Sequence, residues 1–213
     1  MVRRSPNAEQ QRIHSLYEQQ RQAGAAACVI GVDEVGRGAV AGPLTVAAVV
    51  LPLDPYILGL DDSKKLSPKK REELVVEIKA TAYAVGLAHI QPEIIDQIGM
   101  AAALRAGMVQ AIEACHTEPD LVLIDGNPMH LHQKERCVVK GDGKIACIAA
   151  ASILAKVTRD ALMVLADATY PGYGFASNKG YASAEHIKAI RDKGLTEFHR
   201  SSFCRNFLQQ QLF

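Results

Sequence analysis

The sequence has no tryptophan, and aromatic residues make up only 5% of its 213 positions. A paired-carboxylate glycosidase, which would want a broad ring as a sugar platform, is therefore disfavoured. There is no GxxxxGK[ST] stretch, which removes the P-loop nucleotide hydrolases. Cysteine is sparse and odd in number, at 28, 115, 137, 147 and 204, with no CxxC spacing. These residues sit mostly in apolar stretches, as expected of reduced, buried thiols in a cytoplasmic protein. No apolar run is long enough to span a bilayer, and the N-terminal stretch lacks the apolar centre of a signal peptide. A soluble, intracellular chain with no membrane partner is expected. Net charge is also slight, at +1, so a polyanionic partner would have to be held by a local basic patch.

What the sequence does have is a core. With 48% hydrophobic residues it can fold as a single domain spanning 1–213. Residues 29–50, VIGVDEVGRGAVAGPLTVAAVV, organise the rest. Two apolar runs, 29–32 and 44–51, read as buried strands, and a connection this short makes them antiparallel. The connection opens with Asp33 and Glu34, two carboxylates at the end of a strand expected to be central. Such charges are costly to desolvate, and a bound cation is the simplest compensation. Gly36-Arg37-Gly38 then leaves the backbone bare where another backbone can approach.

Further along, Ser5-Pro6 starts a helix with Ile13, Leu16 and Tyr17 on one face. The run at 59–74 carries Asp61, Asp62 and Ser63, then a basic cluster including Lys64 and Lys65, and Ser67-Pro68 opens another helix. Residues 83–90 read as a strand. Pro92 begins a helical region whose Met100, Leu104, Met108 and Ile112 form a core row. Leu121 to Ile124 is a short buried strand ending in Asp125, where α/β proteins place ligands and catalytic groups. Residues 137–139 suggest one more strand. The alanine-rich stretch 145–168 is a long helix carrying Ser152, Lys156 and Asp160 on one polar stripe. Tyr181 lies in a loop with small and basic neighbours, and a short helix capped by Ser183 ends at Gly194.

Four acids thus stand out: Asp33, Glu34, Asp125 and Asp160. Oxygen-only ligands favour Mg²⁺ or Mn²⁺, and a cluster of them suits two-ion phosphodiester hydrolysis. The motifs GVDEVGRGAVAGP (31–43), DDSKKLS (61–67), LIDGN (123–127), KGDGKIACIAAASILAKVTRD (140–160), NKGY (178–181) and HRSSF (199–203) together resemble the ribonuclease HII family, in family order and at family-like spacing.

The resemblance implies an α/β, ribonuclease H-like fold: a five-stranded mixed sheet flanked by helices, with a helical C-terminal region (about 183–213), to which the residues themselves add an N-terminal helical extension (1–25). It implies endonucleolytic cutting of RNA in RNA–DNA hybrids and 5′ of single ribonucleotides in duplex DNA, as in ribonucleotide excision repair, leaving 3′-hydroxyl and 5′-phosphate ends. By position, Asp33, Glu34, Asp125 and Asp160 look like the acids that hold two Mg²⁺ or Mn²⁺ ions. Gly36, Arg37, Gly38 and Tyr181 look like the ribonucleotide sensor, the glycine loop reading the 2′-hydroxyl. Lys64 and Lys65 would contact phosphates. A monomer is expected, with the replication machinery as a conceivable source of partners. Two departures stand against the family pattern: Ala182 follows NKGY where glycine is common, and Gly99 replaces an asparagine.

Overall fold

The structure, a computed structural model, describes residues 5–24 and 28–208. The expected terminal regions at 1–4, 25 and 209–213 lie outside them.

Helix α1 (Pro6–Ala23) is capped by Ser5 and buries Ile13, Leu16 and Tyr17. Strands β1 (Val29–Val35), β2 (Leu44–Val50) and β3 (Ala84–Ile90) form an antiparallel meander, with helix α2 (Pro68–Thr81) before β3. Helix α3 (Pro92–Glu113) leads to β4 (Leu121–Asp125) and β5 (Glu135–Val138), and the long α4 (Ala146–Thr169) follows. Three shorter helices close the described chain: α5 (Phe175–Asn178), α6 (Ala184–Lys193) and α7 (Ser201–Leu208).

The five strands make one mixed sheet in the order β3-β2-β1-β4-β5, with β1 central as expected. It is antiparallel to β2 and parallel to β4, and β4 is parallel to β5. One face packs on α1, α2 and α4, the other on α3, where Leu104, Met108 and Ile112 of the expected row are buried with Met100 against them. A third apolar cluster joins α5, α6 and α7 to Val40, Ala41 and Met163.

Two expectations shift. β1 runs on to Val35 because Asp33 and Glu34 stay in register with Ala47 and Val46, so both acids lie within the strand. The last strand begins at Glu135, since its ladder with β4 starts at Val122.

Two glycines explain departures from simple pattern. Gly31 lets β1 press onto α4, because a methyl there would lie 2.3 Å from the Cys147 carbonyl carbon. Gly99 breaks α3 with φ 79 and ψ 159. That is a conformation essentially reserved for glycine, so asparagine would be strained at this kink.

Candidate active site

Parallel pairing brings the acids together. Val32 of β1 lies beside Ile124 of β4, so Asp33 and Asp125 follow at neighbouring carboxyl ends. Asp125 in turn pairs with Val138 of β5. The chain then turns through Lys140, held at φ 57, into a single 3-10 turn that carries Asp142. The Gly141 N–H donates to Oδ1 of Asp125 at 2.6 Å, fixing that turn against the strand end. Each of Asp33, Asp125 and Asp142 offers a carboxylate oxygen, and these oxygens lie within 4.8 Å of one another.

The electrostatics fit the geometry. Burial, and next the adjacent Glu34, hold the Asp33 carboxyl well above the usual range. Burial likewise raises Glu34, opposed by Arg37 and reinforced by Asp125. Asp142 is raised by burial and by Asp62 and Asp125. Like charges this close cannot all ionise comfortably without a cation among them. The oxygen-only donor set, with no His or Cys, matches Mg²⁺ or Mn²⁺.

Asp160 is not brought to this group. Its carboxylate takes Lys156 Nζ at 2.8 Å and lies 3.9 Å from the Arg71 guanidinium. Arg71 also donates to the Ser63 and Leu66 carbonyls, at 2.9 and 2.8 Å. Asp160 thus anchors the 61–67 loop to α4. Ser152, on the same stripe, meets Ser63 Oγ at 3.0 Å and is close enough to Asp33 to draw its carboxyl down against the effect of burial. The polar stripe docks the basic loop against the acids, and the acid that joins Asp33 and Asp125 is Asp142. A signal for it was present in the sequence: Asp142 sits between glycines just after the last expected strand, the same strand-end placement that singled out Asp125.

The two lysines of that loop divide. Lys64 Nζ is 4.0 Å from Asp142. Burial draws its pKa down, yet Asp62, Asp142, Asp33 and Asp125 together carry it above the usual value. Lys65 instead faces Asp61 at 3.4 Å and Asp62 at 4.0 Å.

The glycine loop and the Tyr181 loop are tied together beside the acids. Val40 and Ala41 N–H groups donate to the Gly180 carbonyl at 2.8 and 3.1 Å. The Arg159 guanidinium lies over the Tyr181 ring at 5.6 Å, and Tyr181 itself is exposed. Gly36, at φ 88, is where Arg159 passes, since a methyl there would stand 2.2 Å from its Nε. Arg37 points outward and reaches Glu34 at 4.0 Å. Ala182 is exposed, and Ser183 still caps α6 by accepting from the His186 N–H.

Behind Tyr181 lies a buried histidine pair. The Thr196 N–H donates to His199 Nδ1 at 3.0 Å. Neutral His199 therefore carries its proton on Nε2, which donates to His186 Nε2 at 3.1 Å. His186 then donates from Nδ1 to the Tyr181 carbonyl at 2.9 Å. Burial and the neighbouring His186 push His199 down from 6.5 to about 4, and burial also lowers His186. Between those values the unfolded chain binds more protons than the folded one, so stability falls as pH drops from 6.5 towards 4. The His199 shift alone corresponds to a loss on the order of 3 kcal/mol. Urea melts across this range should show wild type losing its advantage over His199→Gln as pH falls. A pH-independent difference would reject the pairing.

The ribonuclease HII family model matches residues 30–206. A ribonuclease HII of Listeria monocytogenes is 46% identical over 175 residues, covering 82% of this chain and 67% of the relative. A crystal structure of ribonuclease H2 from Pyrococcus horikoshii superposes with a TM-score of 0.73 at 24% identity, over 86% of this chain and 98% of the other. A complex of PCNA with the ribonuclease HII of Archaeoglobus fulgidus gives 0.69 at 26% identity, over 81% and 93%.

Proposed function

The chain belongs to the ribonuclease HII family and is a metal-dependent endonuclease of the ribonuclease H type, and on that premise we propose that it cuts the RNA strand of RNA–DNA hybrids and cleaves 5′ of single ribonucleotides in DNA. The observation that carries this reading is the meeting of Asp33, Asp125 and Asp142 oxygens within 4.8 Å towards the carboxyl ends of the interior strands β1 and β4, beside the bare glycine loop.

In this proposal Asp33, Glu34, Asp125 and Asp142 hold two Mg²⁺ or Mn²⁺ ions. When bound, such ions supply the Lewis acidity that activates water and stabilises the departing oxygen. The chain's own groups do the rest. Lys64, beside the acids, meets a phosphate. The Gly36-Arg37-Gly38 backbone reads the 2′-hydroxyl, and Tyr181 packs on the sugar at the junction. No side-chain nucleophile is needed, and the products carry 3′-hydroxyl and 5′-phosphate ends. Asp160 acts at one remove, by fixing the loop that carries Lys64. Ribonucleotide removal from DNA by a monomer in the cytoplasm is the setting proposed. The PCNA complex of the archaeal relative makes a sliding clamp the partner to try first.

Three end-labelled duplexes test the proposal: an RNA–DNA hybrid, a DNA duplex with one ribonucleotide, and an all-deoxy duplex. The first two should be cut with Mg²⁺ or Mn²⁺ and spared in EDTA, and the third left whole. Cleavage of the all-deoxy duplex, or binding without metal-dependent cutting, would defeat it.

A further inference from the structure

Two arginines are among the largest fully buried side chains, Arg159 and Arg200, both at 0% exposure. Burying a guanidinium is expensive unless its donors are satisfied. Here backbone carbonyls satisfy them, nearly all from the glycine loop. Arg200 Nη1 donates to the Arg37 carbonyl at 3.2 Å and the Ala39 carbonyl at 2.8 Å. Its Nε and Nη2 both reach the Gly42 carbonyl, at 3.0 and 2.8 Å. Arg159 grips the far side of the loop through the Pro43 and Ala41 carbonyls, and Nη1 reaches the Lys179 carbonyl beside Tyr181, at 2.8, 3.0 and 2.8 Å.

The consequence lies in one peptide unit. In a planar trans peptide the C=O and the following N–H point in opposite directions, and Arg37–Gly38 is trans. With the Arg37 carbonyl drawn inward to Arg200, the Gly38 N–H is turned outward. Gly38 is exposed, and a methyl placed there would meet nothing within 4 Å. Among the described residues no acceptor meets the Gly38 N–H. Its neighbour Ala39 donates back to Gly36 at 3.2 Å, so the next donor along the loop is already engaged.

We propose that Arg200 is a positioning residue for ribonucleotide selection: its planar fork fixes the Arg37–Gly38 peptide so that the Gly38 N–H faces an incoming 2′-hydroxyl. The inference rests on the reading of this loop as the ribose sensor and adds the group that sets its conformation. Arg200 touches no substrate, and it acts through the peptide it holds. Burial and Arg159 lower Arg200 to about 10, so the guanidinium stays protonated at neutral pH and its donors remain in place. Lysine carries the same charge but presents no planar fork, so charge alone does not substitute.

The test is metal-free binding, in EDTA so that nothing is cut, to matched duplexes with and without one ribonucleotide, followed by fluorescence anisotropy. In Arg200→Lys the preference for the ribonucleotide duplex should fall about tenfold, the equivalent of one misplaced hydrogen bond. Affinity for the all-deoxy duplex should stay within about twofold, because phosphate contacts dominate it. A retained preference, or an equal loss on both duplexes, would overturn the assignment. Wild type is measured by a second route, needed where the variant does not fold. The slowly exchanging Arg200 guanidinium protons should shift in NMR spectra with the ribonucleotide duplex and not with the all-deoxy one. Identical shifts with the two would also overturn it. Failure of the underlying reading looks different, since wild type itself would then show no preference.

Discussion

Asp125→Asn and Asp142→Asn are each expected to slow cleavage by at least about 100-fold, because even a group one shell removed from a metal typically costs 10–100-fold when lost. Asparagine keeps the volume and an oxygen but removes the charge that attracts a cation. In Asp125→Asn, Oδ1 can still accept from Gly141 at 2.6 Å, so the turn carrying Asp142 should hold. Asp160→Asn is the informative contrast. It weakens the pairing with Lys156 and Arg71 and should reduce cleavage by less than about tenfold, since part-exposed pairs contribute modestly. Stability should move in opposite directions. Without divalent ions, Asp142→Asn relieves a repulsion among buried carboxylates and should raise the melting temperature, while Asp160→Asn should lower it. Cleavage rates and melts of the three variants in parallel check this. A near-normal Asp142→Asn beside a dead Asp160→Asn would restore the sequence-based assignment of Asp160.

The second large effect is on the fold. Gly31→Ala should destabilise the protein by about 3 kcal/mol or more, at the upper end of overpacking costs. The added methyl would meet the Cys147 carbonyl carbon, the Ile148 nitrogen and the Cys147 oxygen at 2.3, 2.5 and 2.7 Å. All three belong to the helix backbone, so no side chain can swing away. For a domain of this size the melting temperature should drop by roughly 6–12 °C. A drop under about 2 °C would mean that β1 and α4 can separate at little cost, and the close packing that sets Ser152 beside Asp33 would lose its rationale.

The sheet was largely legible in the sequence because its signals are local. Apolar runs bounded by glycine and proline marked β1 to β4, and Ser5, Ser67 and Ser183 each cap the helix expected of them. Asp125 was legible because a strand end is visible in one stretch of residues. What escaped depends on tertiary contact. Asp142 is set apart from an ordinary turn aspartate only by β5 lying parallel to β4. Asp160 looked functional because a charge on an alanine-rich face is conspicuous, yet the bases that neutralise it come partly from α2, through Arg71. Asp96 is similar. It receives the Ser201 N–H and hydroxyl at 2.7 and 2.8 Å, and also the Ser202 N–H at 3.1 Å, pinning the start of α7 from the first turns of α3. Nothing within either segment announces that partner. The two buried arginines were hidden for the same reason, since each is satisfied by carbonyls far off along the chain.

The pairing of Val32 with Ile124 also bears on the protein's birth. Asp33 and Glu34 leave the ribosome early, but β4 and the turn bearing Asp142 emerge only after α2, β3 and α3 have been made. Until translation has passed that turn, the carboxylates lack the companions that would gather divalent ions. A half-synthesised chain therefore holds only part of the carboxylate cluster that the finished fold assembles.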